Sequence, residues 1–169
     1  MITTTEPDIA AMSTAEAERR LQALDLTMVR MKLADRVEGP GWTPAILNLL
    51  ERDYRRFLTL NLLYRVAICP CKDVDKFWHA HILDTAAYRL DCDAIFGEYL
   101  DHFPYFGMRG ADDAQALTDA YAATVTLYER HFGTAPDIWR PDDVAKCNRT
   151  NCKKQNCSVP RGAVSRSAQ

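Results

Sequence analysis

The sequence predicts an all-α protein: a compact bundle of about four main helices with a disordered C-terminal tail. Three observations predict it. Apolar residues recur at three- and four-residue steps through most of the first 140 positions, the period of a helix face. No stretch of useful length alternates apolar and polar residues as a half-buried strand would. Gly39-Pro40-Gly41, Cys69-Pro70-Cys71 and Gly97 punctuate the periodic segments.

The first helix opens on a capping box, Ser13 followed by Glu16, in which the two side chains satisfy orphan backbone N–H groups. Ala17, Leu21, Leu24, Met28 and Met31 then line one face, and Gly39-Pro40-Gly41 ends the segment. Thr43-Pro44 reads as an N-cap with proline at the first helical position, and Ile46, Leu47, Leu50, Tyr54, Phe57 and Leu58 carry the period to about Tyr64. After Cys69-Pro70-Cys71 a third helix is expected from about Asp73 to Ala94. An aromatic loop, His102-Phe103-Pro104-Tyr105-Phe106-Gly107, follows and is too apolar to project into water. Asp112 or Asp113 caps the last helix, which shows Leu117, Ala120, Tyr121, Thr124 and Tyr128 on one face and stops at Gly133.

The domain division that results is a flexible N-terminus over 1–12, a helical domain over 13–140, and a flexible basic, cysteine-containing tail over 141–169. At 169 residues, 47% apolar and 26% charged, the chain is sized and composed for one domain with a real core. The net charge of −2 gives no global argument for nucleic acid or an anionic membrane. It hides an asymmetry: from Pro141 onward six basic residues stand against Asp142 and Asp143, so a mildly basic tail follows an acidic body. No apolar run approaches the roughly 18 residues of a membrane span, and the first residues lack the charged and apolar regions of a secretory signal. The expected compartment is the cytoplasm, with the six cysteines mostly reduced.

Chemistry concentrates in DKFWHAHILDTAAYRLDC, residues 75–92, which carries two of the four histidines. Each helical residue advances about 100°, so His79 and His81 lie about 200° apart and do not share one ion on a regular helix. His81 shares its face with Asp84, Thr85, Tyr88, Asp91 and Cys92. Buried polar groups are costly unless they bond one another, water or a metal. His81, Asp84, Asp91 and Cys92, with His102 brought over by its loop, are therefore the candidate ligand set for zinc or another transition metal. A structural reading stands beside it, in which His81 bonds Asp84 or Tyr88 and fixes helix packing. His79 has a bland reading as a surface pair with Asp75 one turn away, and His131 as a complement to the dipole of the last helix. Cys92 with His81 also has the composition of a nucleophile and its base, though nothing visible supplies an oxyanion hole.

The residues VDKFWHAHILDTAAYRLDC, followed by FGEYLDHFPYFG, resemble the glycine-rich domain-containing protein-like family over roughly residues 45–107. That family carries a hydrophobic-Asp-x-x-Trp-His-x-His block, a downstream Tyr-x-x-Asp-Cys and a histidine-containing loop. The resemblance implies that Asp75, Trp78, His79, His81, Tyr88, Asp91, Cys92 and His102 occupy signature positions. It names a fold neighbourhood more than a reaction. The glycine-rich stretches of that family are missing here, and the tail carries Cys147, Cys152 and Cys157 at five-residue spacing instead. Those thiols are a candidate soft-ion or disulfide site, since neighbouring Lys and Arg lower thiol pKa values. Cys69 is expected to be a small buried hydrophobe.

The leading reading is a cytoplasmic helical binding or scaffold module with a metal or structural polar site centred on His81. The alternatives are an enzyme using the same helix, by metal-assisted hydrolysis or thiol chemistry at Cys92, and an interaction or precursor protein acting through its tail. A protein partner stays open, and neither membrane nor nucleic acid is called for.

Overall fold

The structure, a computed structural model, describes residues 12–139 and the backbone of residues 157–158. Among these residues it is an α-helical bundle: α1 (Thr14–Gln22), α2 (Thr27–Ala34), α3 (Pro44–Leu63), α4 (Lys72–Leu83), α5 (Thr85–Phe96) and α6 (Ala111–Phe132), closed by a 3-10 turn at Asp137–Trp139. The expected disordered tail and flexible N-terminus lie outside the described residues, apart from Met12 and the strand at 157–158. That strand, β2 (Cys157–Ser158), pairs antiparallel with β1 (His102–Phe103), setting Ser158 opposite His102 and Cys157 opposite Phe103. No described helix is long and apolar enough to cross a membrane.

Six helices stand where four main ones are expected, because two of the expected helices are broken. The first breaks at Ala23–Leu26, where the Asp25 carboxylate accepts from the Thr27 N–H at 3.0 Å and starts α2 afresh. The break rotates the second half: Val29 and Leu33 enter the core, while Met28 and Met31, assigned to the buried face, stand exposed. The capping box forms only in part, with Ser13 Oγ accepting from the Glu16 N–H while the Glu16 carboxylate turns to Arg19 and Arg20. The third expected helix breaks at Asp84. Its backbone leaves the helical region at φ −80°, ψ 70°, and its N–H bonds the His81 carbonyl three residues back.

α3 is the central element, packed against α1, α2, α4 and α6. Thr43 caps it through Oγ1 to the Ile46 N–H, with Pro44 in the first turn. Tyr54, Phe57, Phe77, Trp78 and Tyr88 are among the fully buried side chains, and burying a large apolar side chain stabilises by about 1.5–3 kcal/mol. The middle of α3 holds a buried polar network. Asp53, with no exposure, accepts from Tyr128 Oη at 3.0 Å and Trp139 Nε1 at 3.1 Å, and pairs with Arg52 Nε at 3.0 Å. One carboxylate thus ties α6 and the 3-10 turn to α3.

The aromatic loop packs only in part: Phe106 lies on the core, Phe103 and Pro104 are half-buried, and Tyr105 is exposed. Cys69 is buried as expected, yet it is disulfide-bonded rather than a free thiol. Cys71 and Cys92 are the free cysteines among the described residues, so neither is its partner.

Candidate metal centre

The break at Asp84 decides the site, because it ends the single face on which His81, Asp84, Tyr88, Asp91 and Cys92 were expected together. His81, Tyr88 and Cys92 are buried, but Asp84 and Thr85 are exposed at the turn. Asp84 is the corner where the chain changes direction, so its carboxylate is not carried on the inner surface. The turn nevertheless folds α5 back so that Asp91 Oδ2 meets His81 Nε2 at 2.9 Å. The other ring nitrogen, Nδ1, lies 2.8 Å from Tyr54 Oη on α3.

A carboxylate only accepts, so Nε2–H donates to Asp91 and Nδ1 accepts the Tyr54 hydroxyl proton. Burial pushes the His81 pKa down, against the Asp91 carboxylate that raises it. Burial likewise holds the Tyr54 phenol well above its usual range. The result is a neutral, fully satisfied relay joining α3, α4 and α5, with both His81 nitrogens already used. In the sequence Tyr54 stands on an apolar stripe of α3. A tyrosine on such a stripe gives no sign of where its hydroxyl will point.

Cys92 is buried and free, and burial raises its pKa. Its thiol lies beside the Leu100 backbone and the Tyr88 hydroxyl, which offset part of that rise. Tyr88 Oη in turn accepts from Trp78 Nε1 at 2.9 Å and donates to the Leu100 carbonyl at 2.7 Å.

His102 does not join this group. The loop brings it to α4, where its ring meets Trp78 edge-on at 4.7 Å and its Nε2 lies 2.8 Å from His79 Nε2. Asp75 completes the cluster. Its two carboxylate oxygens lie 3.7 Å from His102 Nε2 and 3.6 Å from His79 Nε2. One atom from each of Asp75, His79 and His102 lies within 4.8 Å of the others, and this is the group among the described residues with metal-ligand geometry. Of the candidate ligands His81, Asp84, Asp91, Cys92 and His102, the structure pairs His81 with Asp91 but does not gather all five around one point. His79 and His81 serve different neighbours.

Asp75 and His79 are four residues apart on α4, a spacing that stacks two side chains on one helix face. That Asp-x-x-x-His spacing was in the sequence, but it is also the spacing of an ordinary surface pair. Asp75 is in fact buried, and the His79 side chain is 40% exposed while that of His102 is 14% exposed. The cluster thus has a closed side and an open one. Around a tetrahedral zinc with bonds near 2.0–2.2 Å, donor atoms sit roughly 3.3 Å apart. The His79–His102 separation is slightly shorter than this, and the two Asp75–His separations, each from a different carboxylate oxygen, are slightly longer.

His131 exceeds its expected role at the end of α6. It bridges Tyr64 Oη at 2.6 Å and Thr14 Oγ1 at 2.8 Å, tying α6 to α1 and to the end of α3, and burial lowers its pKa. The tail cysteines Cys147, Cys152 and Cys157 lie outside the described side chains.

Fold and site together define an α-helical protein with a histidine–aspartate cluster where the loop after α5 crosses α4. The UCP032817-like family model matches residues 19–125, well over half of the chain, and the protein belongs to that family. No curated protein and no solved structure matches it.

Proposed function

We propose that this protein is a helical metal-binding module that holds a transition ion, zinc by the chemistry of its donors, between Asp75, His79 and His102. One observation carries the reading: two imidazole Nε2 atoms and a carboxylate converge within ligand reach of one another. Two histidines and one carboxylate suit zinc and other borderline ions. The resemblance to the glycine-rich domain-containing protein-like family supports the choice, since all three residues fall on its signature positions. The leading expectation, a site centred on His81, moves by two residues along α4 and turns to the other side of it.

Three protein donors leave a fourth position for water, the arrangement of zinc sites that do chemistry. Metal-assisted hydrolysis is therefore the enzymatic reading that the cluster favours. Cys92 is a poor nucleophile by comparison, since it is buried, its pKa is raised, and it is hydrogen-bonded into the structure.

Zinc titration of the metal-free full chain, followed by elemental analysis, tests the reading. One zinc per chain is expected. Asp75→Asn, His79→Ala and His102→Ala should each lose it, and Tyr54→Phe should keep it. Undiminished zinc binding in both His79→Ala and His102→Ala would move the site elsewhere.

A further inference from the structure

The histidine that closes the cluster is delivered by a loop, so something must hold that loop in place. His102 stands two residues beyond Leu100, which is 3% exposed, between the exposed residues Tyr99 and Asp101. The hold on Leu100 comes from α5. Tyr88 Oη donates to its carbonyl at 2.7 Å, and the buried Cys92 thiol lies beside its backbone from one turn further along the helix. The same hydroxyl accepts from Trp78 Nε1 at 2.9 Å, and the Trp78 ring is the surface against which His102 packs edge-on.

We propose that Tyr88 is the positioning residue of the metal centre: through one hydroxyl it fixes both the backbone that delivers His102 and the indole against which His102 rests. Cys92 is the second half of this clamp. The proposal rests on the Asp75–His79–His102 reading, but the clamp exists with or without an ion. It assigns a task to the Tyr-x-x-x-Cys spacing on α5 and accounts for the buried polar groups there without a reaction. A phenol can do this because it combines a ring that fills core volume with one donor and acceptor at its tip. The loop has no helix or long strand of its own to set its position, since β1 is two residues long.

The test is Tyr88→Phe in the full chain, which keeps the ring and removes the hydroxyl. Two readouts separate the clamp from the metal. In metal-free protein the imidazole 15N signals of His102 should shift as its contact with His79 loosens, while those of His131 stay in place. With zinc, affinity should fall about tenfold, the lower end of what supporting residues contribute to a metal site. His102 signals and zinc affinity both unchanged in Tyr88→Phe would overturn the clamp. If wild type takes up no zinc but the His102 signals still shift, the metal reading fails and the clamp stands. Should Tyr88→Phe fail to fold, Cys92→Ala carries the same test, because it removes only the thiol half. Unchanged His102 signals and zinc affinity in that variant would overturn the proposal equally.

Discussion

Asp75 and His81 lie six residues apart on α4 and solve the burial of a polar group differently. His81 is satisfied twice over, by Tyr54 and Asp91, and has no nitrogen left for an ion. Asp75 faces two imidazoles at distances suited to an ion held between them. Substitutions should separate the two. Asp75→Asn is expected to weaken zinc binding by at least a hundredfold with little change in helicity, as checked by chelator competition and circular dichroism. His131 supplies a pH prediction. Its pKa is lowered in the folded protein by burial, so the unfolded chain, with a histidine pKa near 6.5, takes up its proton first as pH falls. The stability from neutral His131 is complete above about pH 6.5 and is lost as pH falls through the lower, folded value. Melting temperatures between pH 7.5 and 5 should decline, and His131→Gln should remove part of the slope. A slope as steep in the variant would assign the effect to other groups.

Single residues decide how elements join. Asp53 connects α3 to α6 and to the 3-10 turn through Tyr128 and Trp139. Replacing it with alanine strands two buried donors, Tyr128 Oη and Trp139 Nε1, and each donor left unsatisfied costs about 1–3 kcal/mol. Urea denaturation should show that loss for Asp53→Ala and a smaller one for Asp53→Asn, which keeps an acceptor. Gly107 ends the aromatic loop with φ at +84°, and a Cβ there would come within 2.6 Å of Leu117 Cδ2 on α6. Gly107→Ala should therefore destabilise by about 1–3 kcal/mol from backbone strain alone, plus the clash. An unchanged denaturation midpoint would mean that loop and helix can part without cost.

On the scale of the whole molecule, the cluster joins the loop after α5 to α4, and an ion there would lock two elements far apart in sequence. Binding to the folded state alone stabilises by about 2.7 kcal/mol at a hundredfold excess over Kd. For a domain of this size that is roughly 5–10 °C in Tm. Thermal unfolding with and without zinc should show the rise in wild type and none in His102→Ala. A rise of equal size in both would place the stabilising ion at another site. β2 pairs with β1 beside His102, so the backbone at 157–158 also borders the centre.

Periodicity determined much of this protein. The helical class, the Thr43-Pro44 start of α3 and the last helix ending at Gly133 all follow from local chemistry: caps, missing donors and the spacing of apolar residues. The separation of His79 from His81 also follows, because two residues on a helix turn a side chain about 200°. The breaks at Ala23–Leu26 and Asp84 were not legible. No glycine or proline marks them, and the aspartate at each break also fits a solvated helix face. The fold-back at Asp84 gave His81 to Asp91 and Tyr54, and the route of the loop gave His102 to Asp75 and His79. Which polar groups meet was decided by packing between elements, for a histidine's spacing fixes the face it lies on but not the partner that folds against that face.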